Sequence, residues 1–190
     1  MTTIPGRTLA FAAILLAGSA AAQTPPKPGA APSPAPSEPG LTTASYGDWV
    51  LRCQRFEGEK PARLCEVSQA MQIQGQSAPI AQVAIGRPAE ETGLRVTVLL
   101  PVSVSFPSSV RVSGTDKDGK EAGALDLAWR RCQPGGCLAD GPAKDDALKR
   151  WRDGVEAGRL AFKDAAGRDL GIPVSFRGLG QALDALVRER

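Results

Sequence analysis

Two closely spaced pairs of cysteines, Cys53 with Cys65 and Cys132 with Cys137, restrict what this chain can fold into more than any other feature. Four cysteines allow three connectivities. Pairing within each couple is favoured because each closes a short loop containing turn formers, Gly58 and Pro61 in one, Pro134, Gly135 and Gly136 in the other. In the chain-entropy account a loop of about 15 residues contributes roughly 3 kcal/mol and a shorter one somewhat less. Against the ~5–15 kcal/mol of a whole domain that is a large share. The rival uses of these cysteines are weaker. Zinc sites commonly show a Cys-x2-Cys knuckle or recruit histidine, and the chain has no histidine. A redox-active pair more typically reads Cys-x-x-Cys, so Arg130 and Arg131 beside Cys132 do not by themselves make a reactive thiol. No metal and no cofactor is therefore expected.

Disulfides need an oxidising compartment, and the N-terminus supplies the route to one. Arg7 precedes an apolar run from Leu9 to Ala17, which is too short to span a bilayer. The small residues Gly18, Ser19, Ala20, Ala21 and Ala22 follow, as a signal peptidase requires. Residues 1–22 are read as a signal peptide cleaved after Ala22. No cysteine follows the run, so a lipid anchor is not expected, and no other segment suits a membrane span. Residues 23–45 are rich in Pro and Ala and too poor in bulk to build a core, which marks an extended linker. Residues 46–190 then form one domain of ordinary size. The mature protein is expected in the periplasm, in the medium or at the outer membrane. The full chain's net charge of +3 is too small to suggest a nucleic-acid partner.

Period-two alternation of β-branched residues predicts strands over 94–100 and 102–106, and another at 110–112. Further strands are expected at 49–53, 64–73, 80–85, 124–129, 158–163 and 171–176. Helical spacing puts Leu148 and Trp151 on one face of residues 144–153, and Leu179, Ala182, Leu183, Leu186 and Val187 on one face near the C-terminus. Many short strands with two short helices imply a mainly β domain, a β-sandwich or a distorted barrel.

Chemistry-bearing patterns are scarce. Without histidine the usual Ser-His-Asp and Cys-His designs are gone, and Gly178-Leu179-Gly180 lacks the third glycine of a dinucleotide loop. Asp116, Asp118 and Glu121 lack the full EF-hand ligand run and read as a hairpin turn. Arg130, Arg131, Lys144, Lys149, Arg150 and Arg152 form a basic segment diluted by Asp140, Asp145, Asp146 and Asp153, which reads as a solvated face. No catalytic residues are assigned. A carboxylate pair of glycosidase type stays formally open, since it needs only two acids held roughly 5–10 Å apart.

In order along the chain stand Tyr46-Gly47-Asp48-Trp49 leading to Cys53, then Cys65-Glu66, then residues 102–107, then Cys132-Gln133-Pro134-Gly135-Gly136-Cys137, then Pro173 to Leu179 before the last helix. This succession resembles the invasion-associated locus B family over residues 46–187. Leu179 departs from it, standing where an aromatic residue is expected, and the linker has no counterpart in the pattern. The resemblance implies a mostly β domain exported by Gram-negative bacteria, with founding members linked to entry into host cells such as erythrocytes. It implies no enzyme activity and carries over no catalytic residue. The function expected on this basis is an exported, non-enzymatic binding protein of the envelope with an unidentified protein or surface partner. The rivals are a periplasmic factor for envelope integrity or assembly, and an enzyme built on buried carboxylates.

Overall fold

The computed structural model describes residues 40–57, 61–89, 91–153 and 157–189. The expected signal peptide, its cleavage point at Ala22 and most of the linker lie outside them. The strands are β1 (Leu41–Tyr46), β2 (Trp49–Phe56), β3 (Ala62–Met71), β4 (Ala81–Gly86), β5 (Arg95–Leu100), β6 (Ser109–Thr115), β7 (Glu121–Gln133), β8 (Gly136–Pro142), β9 (Ala157–Lys163) and β10 (Asp169–Ser175). Helix α1 (Asp145–Asp153) lies between β8 and β9, and helix α2 (Leu179–Arg188) follows β10.

Alternation within each strand decides which face is buried. In β2, Trp49, Leu51 and Cys53 face the core while Val50, Arg52 and Gln54 face outward. In β5, Val96, Val98 and Leu100 are buried. Each such aliphatic side chain is worth about 1.5–3 kcal/mol when fully removed from water. The ten strands form one antiparallel sheet in the order β1-β2-β3-β4-β5-β8-β7-β6-β9-β10. What the sequence left open between a sandwich and a barrel is thus a single unclosed sheet, mainly β as expected.

Both cysteine pairs are disulfides, Cys53–Cys65 and Cys132–Cys137. Each joins directly opposed residues of an antiparallel pair, β2 with β3 and β7 with β8. They therefore fix the register of two hairpins, where a one-residue slip would turn every side chain to the wrong face.

The helices cover the core. Asp145 and Asp146 begin α1, Arg150 and Arg152 end it, and both placements suit the helix dipole. Ala147, Leu148 and Trp151 face inward, and Trp151 stacks on Phe176 with ring centroids 4.9 Å apart. Leu179, Ala182, Leu183, Ala185 and Leu186 of α2 pack against β1, β2 and β3.

Three expectations change. Residues 41–45, read as linker, belong to β1, because Leu41 to Tyr46 pair residue by residue with Gln54 to Trp49 along the sheet edge. Residues 102–106 do not form a strand. Pro101 and Pro107 cannot donate to a ladder, Val104 makes only an isolated bridge to Asp164, and Val102 and Phe106 stay exposed. Residues 136–142, assigned to no element, form β8 despite their Gly, Asp and Pro content, because β5 and β7 pair with them on both sides.

Candidate functional site

Where backbone pairing stops, side chains finish the fold. The tight turn Gly47-Asp48 between β1 and β2 meets the turn Arg177-Gly178 between β10 and α2. The Asp48 N–H donates to the Arg177 carbonyl at 3.2 Å. Both glycines have positive φ, 58° and 85°, and each backbone lies against the other turn. A Cβ on Gly47 would fall 2.6 Å from the Arg177 carbonyl oxygen, and one on Gly178 would collide with the Tyr46 carbonyl. Only glycine allows this approach.

Five side chains saturate the junction. Buried Gln69 behaves as a piece of strand, its Nε2 donating to the Ser175 carbonyl at 3.0 Å and its Oε1 accepting from the Ser175 N–H at 3.0 Å. The same Nε2 reaches the Asp48 carbonyl at 3.3 Å. The Trp49 indole N–H donates to the Ser175 carbonyl at 2.9 Å. The Ser175 hydroxyl donates to Asp48 Oδ2 at 2.6 Å, and Arg177 clamps both Asp48 oxygens at 3.1 and 2.5 Å. The bonds from Arg177 and Ser175 hold the Asp48 carboxyl below its ordinary value. We refer to this junction as the clasp; it contains both the Gly-Asp-Trp start and the Ser-Phe-Arg-Gly end of the sequence pattern.

The outward face of β2 to β5 is different. A hollow of about 420 Å³ is lined by Arg52, Gln54, Phe56, Leu64, Glu66 and Thr97, among others, and a second of about 400 Å³ adjoins it at the end of α2. Arg87, Pro88, Leu64 and Cys65 line both. The floor is low because Gly86 stands opposite Glu66, where an added Cβ would lie 3.0 Å from that of Glu66. Arg95 at the rim is matched by Glu91 and Asp140. Arg87 is not matched, and its Nε is buried with no hydrogen-bond partner among the described residues.

Elsewhere, Asp140, Glu121 and Asp164 are held ionised by their neighbours. Burial opposes ionisation of Asp140, but hydrogen bonds from Arg95 and Arg130 outweigh it and lower its pKa. Hydrogen bonds from Arg111 and Ser113 hold Glu121 down to about 2. Asp164, the buried acid, is committed to Arg168 and to the N–H groups of its own turn. Asp116 likewise accepts from the N–H groups of Asp118 and Lys120 at 3.0 and 2.8 Å, which makes the 116–121 segment a hairpin turn. Asp116, Asp118, Asp146 and Asp153 do share a shallow hollow, interleaved with Lys117, Lys149 and Arg150. Asp48, Glu121, Asp140 and Asp164 are all lowered, away from the neutral form that a general acid needs.

Of the basic segment, Arg130 pairs with Asp140 and Arg152 with Asp184, so it is a mixed charged face rather than one patch. Cys53, Cys65 and Glu189 lie together, but the sulfurs are bonded to each other and Glu189 pairs with Arg63, which leaves no thiolate for a metal. Sequence reasoning missed the arginine-lined hollow. The outward positions Arg52 and Gln54, alternating with inward Trp49, Leu51 and Cys53, carried half of its signal.

No helix among the described residues is long and apolar enough to cross a membrane. No curated protein matches the chain. The crystal structure of invasion associated protein B from Bartonella henselae superposes with a TM-score of 0.62 at 20% identity, covering 78% of this chain and 97% of that one. That likeness establishes the fold. The family model for the invasion associated locus B (IalB) protein matches residues 49–187, from the Trp49 side of the clasp through α2. The chain belongs to the invasion associated locus B family.

Proposed function

We propose that this chain is an exported, non-enzymatic binding module of the bacterial envelope. The observation that carries the reading is the contrast between acids and cations on the described surface. The perturbed carboxylates are neutralised by arginines, while Arg87 sits unmatched between two hollows on an outward sheet face. Hydrolytic chemistry by carboxylates needs one of them raised toward neutrality. A recognition surface needs open space and polar groups short of a partner, and the β2–β5 face supplies both.

Export is supported by two disulfides, which persist in oxidising compartments, and by the N-terminal sequence. Family membership fits an envelope role, with host-cell entry as the specialised form that the structural relative's name suggests. Fractionation combined with crosslinking of intact cells tests the proposal. The expected result is a mature chain starting at Gln23 outside the cytoplasm, with a reproducible crosslinked partner. Retention in the cytoplasm with Met1 intact, or turnover of a substrate by the purified protein, would overturn it.

A further inference from the structure

We propose that the twin hollow around Arg87 is a site for an amphiphilic oxyanion, a phosphate or carboxylate carried on an apolar body. This rests on the reading of the protein as a binding module and names the chemistry of what it holds.

Three observations converge on the site. Arg87 is a cation whose Nε is removed from water and receives no acceptor. Leaving a guanidinium donor desolvated and unpaired is costly, and hydrogen bonds to charged groups are the stronger ones to regain. Arg52, on the first hollow's wall, is exposed and forms no ion pair among the described residues. Among the described residues these two cations thus outnumber Glu66, and the charge that would balance them is negative.

The hollows also offer apolar surface. Phe56 and Leu64 are exposed to 45% and 37%, and Pro88 lines both hollows. Val187 extends that surface along the end of α2. A bare anion would satisfy the guanidinium and leave this surface wet. An apolar body attached to it covers both, which is the usual composition of a ligand site, mostly apolar with a few placed polar groups. Gly86 keeps the floor open, since a side chain there would enter the first hollow.

The test is a titration of the full disulfide-bonded chain, reading the Arg Nε–H resonances by NMR. The probes are octyl phosphate and octanoate below their micelle concentrations, with inorganic phosphate as the reference. The expected result is a saturable shift of the Arg87 signal by at least one amphiphile, at an affinity at least tenfold above inorganic phosphate, or about 1.4 kcal/mol. Arg87→Met, followed by the protein's tryptophan fluorescence, is expected to weaken that binding at least tenfold. Arg52→Gln, on an exposed strand position, is expected to weaken it severalfold and keeps the test open should the first variant fold poorly. The proposal is overturned by the absence of any saturable shift, by equal affinity for inorganic phosphate (an adventitious ion only), or by variants that bind as the parent does. A silent titration alongside a crosslinked partner in cells overturns this inference alone. Cytoplasmic retention overturns the functional reading while leaving the binding data standing.

Discussion

The clasp around Asp48 and the hollow around Arg87 lie on the same β2–β4 part of the sheet and treat polar groups in opposite ways. In the clasp, Asp48, Gln69, Ser175 and Arg177 give and receive hydrogen bonds until little capacity is left. Around Arg87 a donor is removed from water and no described residue provides an acceptor. A saturated network specifies one geometry and leaves nothing for a ligand. An unsaturated one sacrifices stability, which is the ordinary mark of a site that serves something other than folding. The sequence elements that signal the family are therefore structural, and the candidate binding surface lies beside them.

This contrast can be broken by substitution. The largest effect is expected from Trp49→Ala, which removes a fully buried ring and its bond to Ser175; a loss of about 3–5 kcal/mol in urea unfolding is predicted. Removal of the Cys53–Cys65 disulfide by a double serine substitution should cost about 3 kcal/mol, and removal of Cys132–Cys137 about 2, as the sequence separations of 12 and 5 imply. Gln69→Leu removes the bonds that Gln69 makes to the Ser175 N–H and to the Asp48 and Ser175 carbonyls, the last of which keeps only the Trp49 indole, and about 2–3 kcal/mol should be lost. A loss below about 0.5 kcal/mol would show that the clasp is ornamental.

Acid sharpens the comparison further. Because Arg177 and Ser175 depress the Asp48 carboxyl below 3.8, the unfolded chain binds more protons than the folded one near that pH. The contribution is present above 3.8 and is lost as pH falls through the folded value. Asp48 is a third exposed, so the effect should stay under about 1 kcal/mol. Asp48→Asn should flatten the acid limb of the stability profile, and Arg52→Gln should leave it unchanged.

The fold was legible wherever burial alternates. Trp49, Leu51 and Cys53, or Val96, Val98 and Leu100, announce their strands because one face is wet and the other dry. β1 and β8 were not legible, since Thr42, Thr43 and Ser45, or Gly136, Gly141 and Pro142, carry weak local preference and become strands through their neighbours. Residues 102–106 misled for the converse reason, an alternation with no partner strand to pair with. The disulfides could be read from spacing because each closes a single hairpin. The clasp could be glimpsed only as two remote motifs, because residues 48 and 175 meet through tertiary folding. Arg87 gave no signal at all: it follows directly on β4, and nothing in its neighbouring residues announces a buried Nε.

Urea unfolding of Arg87→Met decides whether the hollow is held for stability. Methionine keeps the bulk of the side chain and removes a buried donor that has no partner among the described residues, so the unfolding midpoint should equal or exceed that of the parent. A loss of more than about 1 kcal/mol, comparable with that of Gln69→Leu, would contradict it and make Arg87 part of the same structural fabric as the clasp.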